Sequence, residues 1–437
     1  MSKRNKKRGR AIEDIDIIDI NMILFSSYRM KVNKPYPLFV CYILFLAYCI
    51  RNLFRFEFKY KALNRCLFLV PSLNNRRTLS PIYQRLDSKD YTTLEGYRFE
   101  LPWSRVVWKS LCCLPHFHRT YKKQNTEDKK LIRHFYTIFL TTYGIYYVTE
   151  QLLEKNPATK LIVMANDHLT FCRIINMLAP TYGIKTIYTQ HASVTERFPA
   201  LNFTYSFLDG MDSYNKYRSI APIRGEVFLS GSPRFDELKN VKLTKTDNIG
   251  IACNSIDKLD KVLDLVNHLI ESTNWMITVR PHPLMQNTFP KELFNNPRIE
   301  FSNPIEESSF QFLARLKVLI ANESSIHLDS LLVGTPTVLY NFTDDATIDW
   351  YGYLRSGLMQ KCESKEHIVR HISQATVSTE KVKHFYAAYK TPYEHCVGEL
   401  IAQFIGACIY HENDESESNF SDKGGYFEYK SNDEPCD

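Results

Sequence analysis

Two short stretches carry the residue types that phosphate and proton chemistry needs. Arg280-Pro281-His282-Pro283 follows the apolar run Met276-Ile277-Thr278-Val279. Ser324-Ser325 follows a second run, Val318-Leu319-Ile320-Ala321, after Asn322-Glu323, and Asp329 stands about one helical turn further on. A short apolar run that ends in polar residues reads as a buried strand with a loop at its carboxyl end. In parallel sheets such loops bind ligands. Arg280 and His282 offer cationic or proton-donating groups, and the prolines around His282 stiffen its backbone. The serine pair fits a helix start, where free N–H groups, two hydroxyls and the helix dipole favour an anion. Asp329 is spaced to reach a ribose hydroxyl. Alone, the serines are an ordinary helix cap and His282 an ordinary loop histidine. Together, ending successive strands, the loops suit a nucleotide's phosphate and ribose.

Four more polar loops end apolar runs earlier in the chain. They are Asn166-Asp167-His168, Gln190-His191-Ala192-Ser193, Asp209-Gly210 and Ser230-Gly231-Ser232-Pro233-Arg234. A group that takes a proton from an acceptor hydroxyl must lie within hydrogen-bond reach of it. His191 and Asp209 are the candidates, with His168 and Glu196 behind them.

The elements that position these loops alternate. Strands are expected at 66–70, 161–165, 185–189, 203–208, 226–229, 249–252, 276–279, 318–321 and 337–340. Helices are expected from near Ser80-Pro81, over 129–155, 169–178 and from 212, and behind Leu259, Val262, Leu263, Val266, Leu269 and Ile270. Residues 85–125 read as an irregular aromatic insertion and 381–410 as one amphipathic helix. The class is α/β with parallel sheets. The expected domains are a basic tail and membrane-associating segment at 1–61, an acceptor domain at 62–240, a donor domain at 241–380, a crossing helix at 381–410 and an acidic disordered tail at 411–437.

The Arg280-Pro281-His282-Pro283 stretch, the serine pair, Asp329, Gly334 and Pro336 together resemble the nucleotide-binding half of two-domain GT-B glycosyltransferases. The likeness is to bacterial surface-polymer enzymes: capsule sialyl- and Kdo-transferases and teichoic-acid glycerophosphotransferases. Gln190-His191, Asp209 and Gly231-Ser232-Pro233-Arg234 resemble the same group, with Ala192 where those enzymes carry glycine. The resemblance implies two Rossmann-like domains facing across a cleft, plus a basic aromatic N-terminal extension. It implies that His282, Pro283, Ser324 and Ser325 hold a CMP-linked donor, with Arg280 and Asp329 beside them, and that Asp209 supplies the base. The implied activity is metal-independent, inverting sugar transfer into capsule or another cell-surface polysaccharide. Transfer of glycerophosphate from CDP-glycerol and a catalytically silent assembly protein are the alternatives. A sugar-nucleotide 2-epimerase shares the fold.

Composition narrows the classes. The chain has 437 residues, 44% of them hydrophobic, enough for two cores. No G-x-x-x-x-G-K or G-x-G-x-x-G occurs, so no P-loop or dinucleotide cofactor is expected. The eleven cysteines include no Cys-x-x-Cys pair and favour a reducing cytoplasm without a zinc site. Asp14-Ile15-Asp16 lies beside the basic start, so it is set aside as a metal motif and no metal is expected. The net charge of +7 is modest, and no nucleic-acid partner is expected. Residues 36–50 are uncharged and aromatic, flanked by Lys31, Lys34, Arg51, Arg55, Lys59 and Lys61. The run is shorter than the ~20 residues a span needs and suits an interfacial or re-entrant helix at the inner face of the cytoplasmic membrane, the alternative being a buried helix that covers the N-terminal domain. The expected partners are therefore a nucleotide-sugar donor, a polysaccharide or lipid-linked acceptor, and that membrane.

Overall fold

A computed structural model describes residues 15–21, 34–54, 60–285, 288–410 and 420–429. The first sheet is built on β1 (Cys66–Val70), β2 (Tyr91–Glu95), β3 (Leu161–Met164), β4 (Lys185–Thr189), β5 (Asn202–Leu208) and β6 (Arg224–Leu229). The second holds β7 (Asn248–Ala252), β8 (Met276–Arg280), β9 (Ile299–Phe301), β10 (Leu316–Ala321), β11 (Thr337–Tyr340) and β12 (Gln360–Cys362). Two short strands, β13 (Phe420–Asp422) and β14 (Phe427–Tyr429), extend the first sheet beyond β6.

Every pairing is parallel except that of β13 with β14. The orders are β13-β14-β6-β5-β4-β3-β1-β2 and β12-β11-β10-β7-β8-β9. The chain therefore reverses its direction of travel between β1 and β3 in the first sheet, and between β7 and β10 in the second. Loops diverge at such a point and leave a crevice outside the strand ends.

The pleat divides the first sheet's core. Leu67 and Leu69 face one apolar cluster with the helices Trp103–Cys112, Tyr136–Lys155 and Thr170–Leu178. Cys66, Phe68 and Val70 face another, shared with the helix Val397–Tyr410 and with Leu313, Leu328 and Leu331 from the second half. The C-terminal helix lays Phe404 against Tyr205, Phe207 and Phe228 of the first sheet.

Several sequence expectations change. Residues 85–125 are ordered: β2 is followed by helices Trp103–Cys112 and Leu114–Lys123. Trp103, Val106, Val107 and Ser110 are buried at helical spacing, a period that the aromatic density masks. The helix expected from near Ser80-Pro81 spans Leu73–Tyr83, capped by Ser72, and accommodates Pro81 near its end. The 129–155 helix is two, Thr126–His134 and Tyr136–Lys155, broken at Phe135. The 381–410 helix is also two, Thr379–Phe385 and Val397–Tyr410. Between them Ala387 N–H donates to the Asp209 carbonyl at 2.7 Å.

Both chain ends also differ. The described part of the acidic tail, 420–429, forms strands, because Phe427 stacks on Phe228 and Phe420 meets the same ring edge-on. In the N-terminal region Ile15, Ile17 and Ile20 are core residues, and Asn21 bonds Thr142 and Thr170. The basic run 1–10, Lys31, Arg55, Lys59 and the tail segments 411–419 and 430–437 lie outside the described residues. Among the described residues no helix is long and apolar enough to cross a membrane.

Candidate functional site

In the second sheet the loops after β7, β8 and β10 converge at the reversal point. Asp257, in the loop after β7, accepts from Asn254 N–H at 2.6 Å and from Asn322 Nδ2 at 2.8 Å. It thereby ties the β7 loop to the β10 loop. Burial pushes its carboxyl above the usual range, against these two donors and the nearby His282. His327, fully buried, braces the same loop through Asn322 O at 2.9 Å and Thr337 Oγ1 at 2.6 Å. Burial holds its pKa down at about 4, so it is a neutral structural imidazole.

The sequence-derived donor residues fall into two groups. His282, Ser324 and Ser325 are half-buried at the ends of β8 and β10, and Pro283 is exposed beside them. Ser324 Oγ accepts from Ile326 N–H at 3.3 Å, and Ser325 occupies the cap position without a side-chain cap bond. The helix they open, Ile326–Leu332, has only seven residues, which weakens the dipole contribution expected there. Any preference for an anion rests on the hydroxyls and His282.

The other two face away from this crevice. Arg280 Nη1 donates to Ser302 Oγ at 2.7 Å and Nη2 to Glu307 O at 2.8 Å, under the Phe312 ring. Asp329 accepts from Arg234 Nη2 at 3.0 Å. That bond joins the turn after β6 to the second sheet, so Asp329 holds the two halves together rather than standing at the loop's edge. Glu323 accepts from Ile348 N–H and Trp350 N–H at 2.7 and 2.6 Å, anchoring the loop after β11.

That loop closes over the first half. Tyr353 and Ser193 share a hydroxyl hydrogen bond at 2.7 Å, Lys216 Nζ donates to Tyr351 O at 2.8 Å, and Arg197 lies over the Trp350 ring. The strand-end loops of the first sheet therefore face those of the second.

At the first sheet's reversal point sits Asp167-His168, directly after β3. His168 Nδ1 lies 2.5 Å from Asp167 Oδ1, and Tyr217 OH donates to Asp167 Oδ2 at 2.7 Å. Tyr217 also meets the Tyr188 hydroxyl at 3.2 Å. Burial raises the Asp167 carboxyl, but His168, Tyr217 and His191 outweigh it, and its pKa falls below the usual value. Burial opposes charge on His168, yet Asp167 outweighs it and the imidazole pKa is raised. The His168 side chain keeps 24% of its surface open. The contact is an ion pair outside hydrogen-bond geometry, and the adjacent carboxylate favours the protonated imidazole.

His191 and Asp209, the first candidates for a base, have different surroundings. His191 is 5.9 Å from the His168 ring. Burial, with His168 beside it, lowers its pKa to about 4. Asp209 is 1% exposed, and neither of its carboxyl oxygens has a hydrogen-bond partner among the described residues. Burial raises its pKa to about 8, against the pull of Arg234. At neutral pH it is mostly an uncharged acid. Sequence reasoning passed over Asp167, Tyr217 and Asp257. Asp167 stood next to a noted histidine, whereas nothing in the sequence marks Tyr217, 50 residues away, as its partner.

A cavity of about 1330 Å³, bordered by Asp19, Glu150, Asp167, Arg173 and Arg224, reaches the Asp167 side of the Asp167–His168 pair but touches none of the sequence-derived site residues. Among the described residues no group of three or more His, Cys, Asp or Glu could hold a metal ion.

No protein-family model and no curated protein matches the chain. Solved structures do resemble it. The glycotransferase of kitacinnamycin is similar over 80% of this chain and 99% of its own, with TM-score 0.53 and 10% identity. A putative UDP-N-acetylglucosamine 2-epimerase from Listeria monocytogenes matches over 81% and 98%, with TM-score 0.50 and 11% identity. The S. aureus MnaA–UDP co-structure matches over 79% and 96%, with TM-score 0.50 and 12% identity. At these identities the likeness is one of fold: two Rossmann-like halves with parallel sheets, of the GT-B kind.

Proposed function

We propose that the chain is an inverting glycosyltransferase that takes its sugar from a nucleotide donor, CMP-linked by the resemblance of its motifs. The acceptor is a growing capsule or other cell-surface polysaccharide, or its lipid-linked precursor, at the inner face of the cytoplasmic membrane. The donor would lie where the loops after β7, β8 and β10 converge, against His282, Pro283, Ser324 and Ser325. The observation that carries this reading is the Asp167–His168 pair at the reversal point of the opposite sheet.

In this reading the imidazole of His168 takes the proton of an acceptor hydroxyl. The hydroxyl oxygen bonds to the anomeric carbon from the face opposite the leaving group. The bond from that carbon to the phosphate oxygen breaks, and the nucleotide leaves with the bonding pair. His282 and the serine hydroxyls stabilise the charge that grows on the leaving oxygens. Asp167, buttressed by Tyr217, orients His168 and stabilises its protonated form.

Nucleotide release in the presence of acceptor tests this. His168→Ala should lower turnover by about 10²–10⁴-fold with donor affinity nearly unchanged. Asp167→Asn should lower turnover and shift the acidic limb of its pH profile downward, because the raised imidazole pKa depends on the carboxylate. Unchanged turnover in both variants overturns the assignment. Release of CMP from CMP-sugars but not from CDP-glycerol separates sugar transfer from glycerophosphate transfer. Absence of any thermal shift with CMP or UDP would favour a silent assembly protein.

A further inference from the structure

The helix Leu38–Leu53 turns its more apolar face outward. Cys41, Phe45, Cys49 and Asn52 are its buried residues. Phe39, Ile43, Leu46 and Ile50 are exposed, and Phe54 continues their line past the helix end. The spacing of 39, 43, 46, 50 and 54 puts these five side chains on one stripe. Phe39, Ile43 and Phe54 expose 66%, 62% and 69% of their surfaces, where a soluble helix would carry polar residues.

The charges around the stripe are mainly basic, although the helix Thr126–His134, which meets Cys41 at Arg133 O, carries Glu127 and Asp128 in its first turn. Residues 34–54 hold Lys34 and Arg51 and no acid. Residues 103–123, the two helices beside it, hold Arg105, Lys109, Arg119, Lys122 and Lys123 and again no acid. Tyr42 seats the second of these helices, through its hydroxyl to His118 Nδ1 at 2.9 Å and its ring against Phe117. Trp108, on the first, is also exposed.

We propose that this face docks on an anionic lipid bilayer, with the Leu38–Leu53 helix lying in the interface plane. Sixteen residues make a helix about 24 Å long, short of the ~30 Å apolar thickness, so the helix lies on the bilayer rather than through it. The apolar stripe enters the acyl boundary while Lys34, Arg51, Arg119, Lys122 and Lys123 meet lipid phosphates. A second copy of the chain fits less well. A two-fold contact through this face would bring two mainly basic rims together, whereas anionic headgroups complement them. The inference rests on the transferase reading only for the kind of acceptor brought to the site, and its test does not depend on turnover.

The test is co-sedimentation of the full chain with phosphatidylcholine vesicles, with and without phosphatidylglycerol. The wild type should bind, more tightly with the anionic lipid, and release in high salt. Ile43→Ser, Leu46→Ser and Ile50→Ser together should weaken binding by at least about tenfold, because three partly inserted side chains are lost. Arg119→Glu, Lys122→Glu and Lys123→Glu should weaken binding to anionic vesicles alone, by roughly fivefold or more per charge. All six residues are surface groups, and unchanged thermal midpoints confirm that the variants fold. Equal vesicle binding by wild type and the triple serine variant overturns the proposal. So does a wild-type dimer that the serine variant converts to monomer without any vesicle binding. Nucleotide-induced thermal shifts on the same preparations report separately on the donor site.

Discussion

Asp209→Asn isolates an electrostatic cost that the fold carries. Asp209 is sealed at the end of β5, 1% exposed, with no hydrogen-bond partner on either carboxyl oxygen among the described residues. Burial raises its pKa from 3.8 to about 8, opposed by Arg234 and assisted by Asp329 and Asp212. The sign follows from linkage. Below pH 3.8 both folded and unfolded chains hold the proton, and nothing is lost. As pH rises toward about 8 the unfolded chain gives up its proton while the folded chain keeps it, so stability falls across that window. Each pH unit inside the window costs about 1.4 kcal/mol, which sums to on the order of 5 kcal/mol before relaxation of the site reduces it. Asparagine cannot ionise, but it adds a buried amide N–H₂ worth about 1–3 kcal/mol if left unsatisfied. Near the acid end of the window Asp209→Asn should be slightly less stable than wild type. Near its alkaline end it should be more stable, by about 2–4 kcal/mol. Denaturant unfolding of both proteins across the window reads the difference directly. Stability–pH curves that stay parallel from end to end would refute the argument.

Three further outcomes follow from the same geometry. Arg234→Ala strands Asp329 as a buried unpaired carboxylate and should cost about 3–5 kcal/mol, while Arg234→Met with Asp329→Leu should recover much of that in thermal unfolding. Gly210 lets the crossing segment approach β5: a Cβ there would stand 2.8 Å from the His384 oxygen, so Gly210→Ala should cost about 1–3 kcal/mol by denaturant titration. His282→Ala should cut turnover about 10²-fold, whereas Ser324→Ala with Ser325→Ala should mainly weaken nucleotide affinity, and parallel kinetics and calorimetry on one preparation distinguish the two.

The inner strands were legible because they are buried on both faces, whereas β2, β9 and β12, partly exposed at the sheet edges, were not expected. Cys66-Leu67-Phe68-Leu69-Val70 and Val318-Leu319-Ile320-Ala321 are continuous apolar runs of a kind only a covered parallel sheet uses. The 103–123 helices were not, because Ser104 and Ser110 occupy buried positions that a periodicity search scores as polar. β13 and β14 are three residues each within an acidic stretch, and only the pairing of β14 with β6 and of β13 with β14, with Phe420 and Phe427 packed on Phe228, makes them strands. At the site, His282 and the serine pair stand at strand ends where the runs put them. Arg280 and Asp329 share those loops, but their partners come from Ser302, Glu307 and Arg234, contacts between residues far apart in sequence. The state of Asp209 depends on burial, which no local pattern reports.

The two histidines of the first sheet show what strand order adds. His168 and His191 each follow an apolar run and polar residues, and the sequence ranks His191 first. The order β4-β3-β1-β2 favours His168. The chain leaves β1 toward β2 on one side and later lays β3 on the other, so the loop carrying His168 borders a gap. The loop carrying His191 lies between neighbours on both sides. Their electrostatics diverge for the same reason. His168 faces the Asp167 carboxylate, which Tyr217 holds, and its pKa is raised despite burial. His191 is more enclosed, with the positive groups His168 and Arg234 pressing on it and Asp167 only partly offsetting them, and its pKa falls to about 4. An imidazole of that kind binds a proton too weakly to draw one from a sugar hydroxyl at neutral pH, whereas one with a raised pKa and a partly exposed ring is suited to it. If the proposed roles hold, His191→Gln should leave the pH profile of turnover intact and Asp167→Asn should displace it. The reverse result would move the base one strand along the sheet.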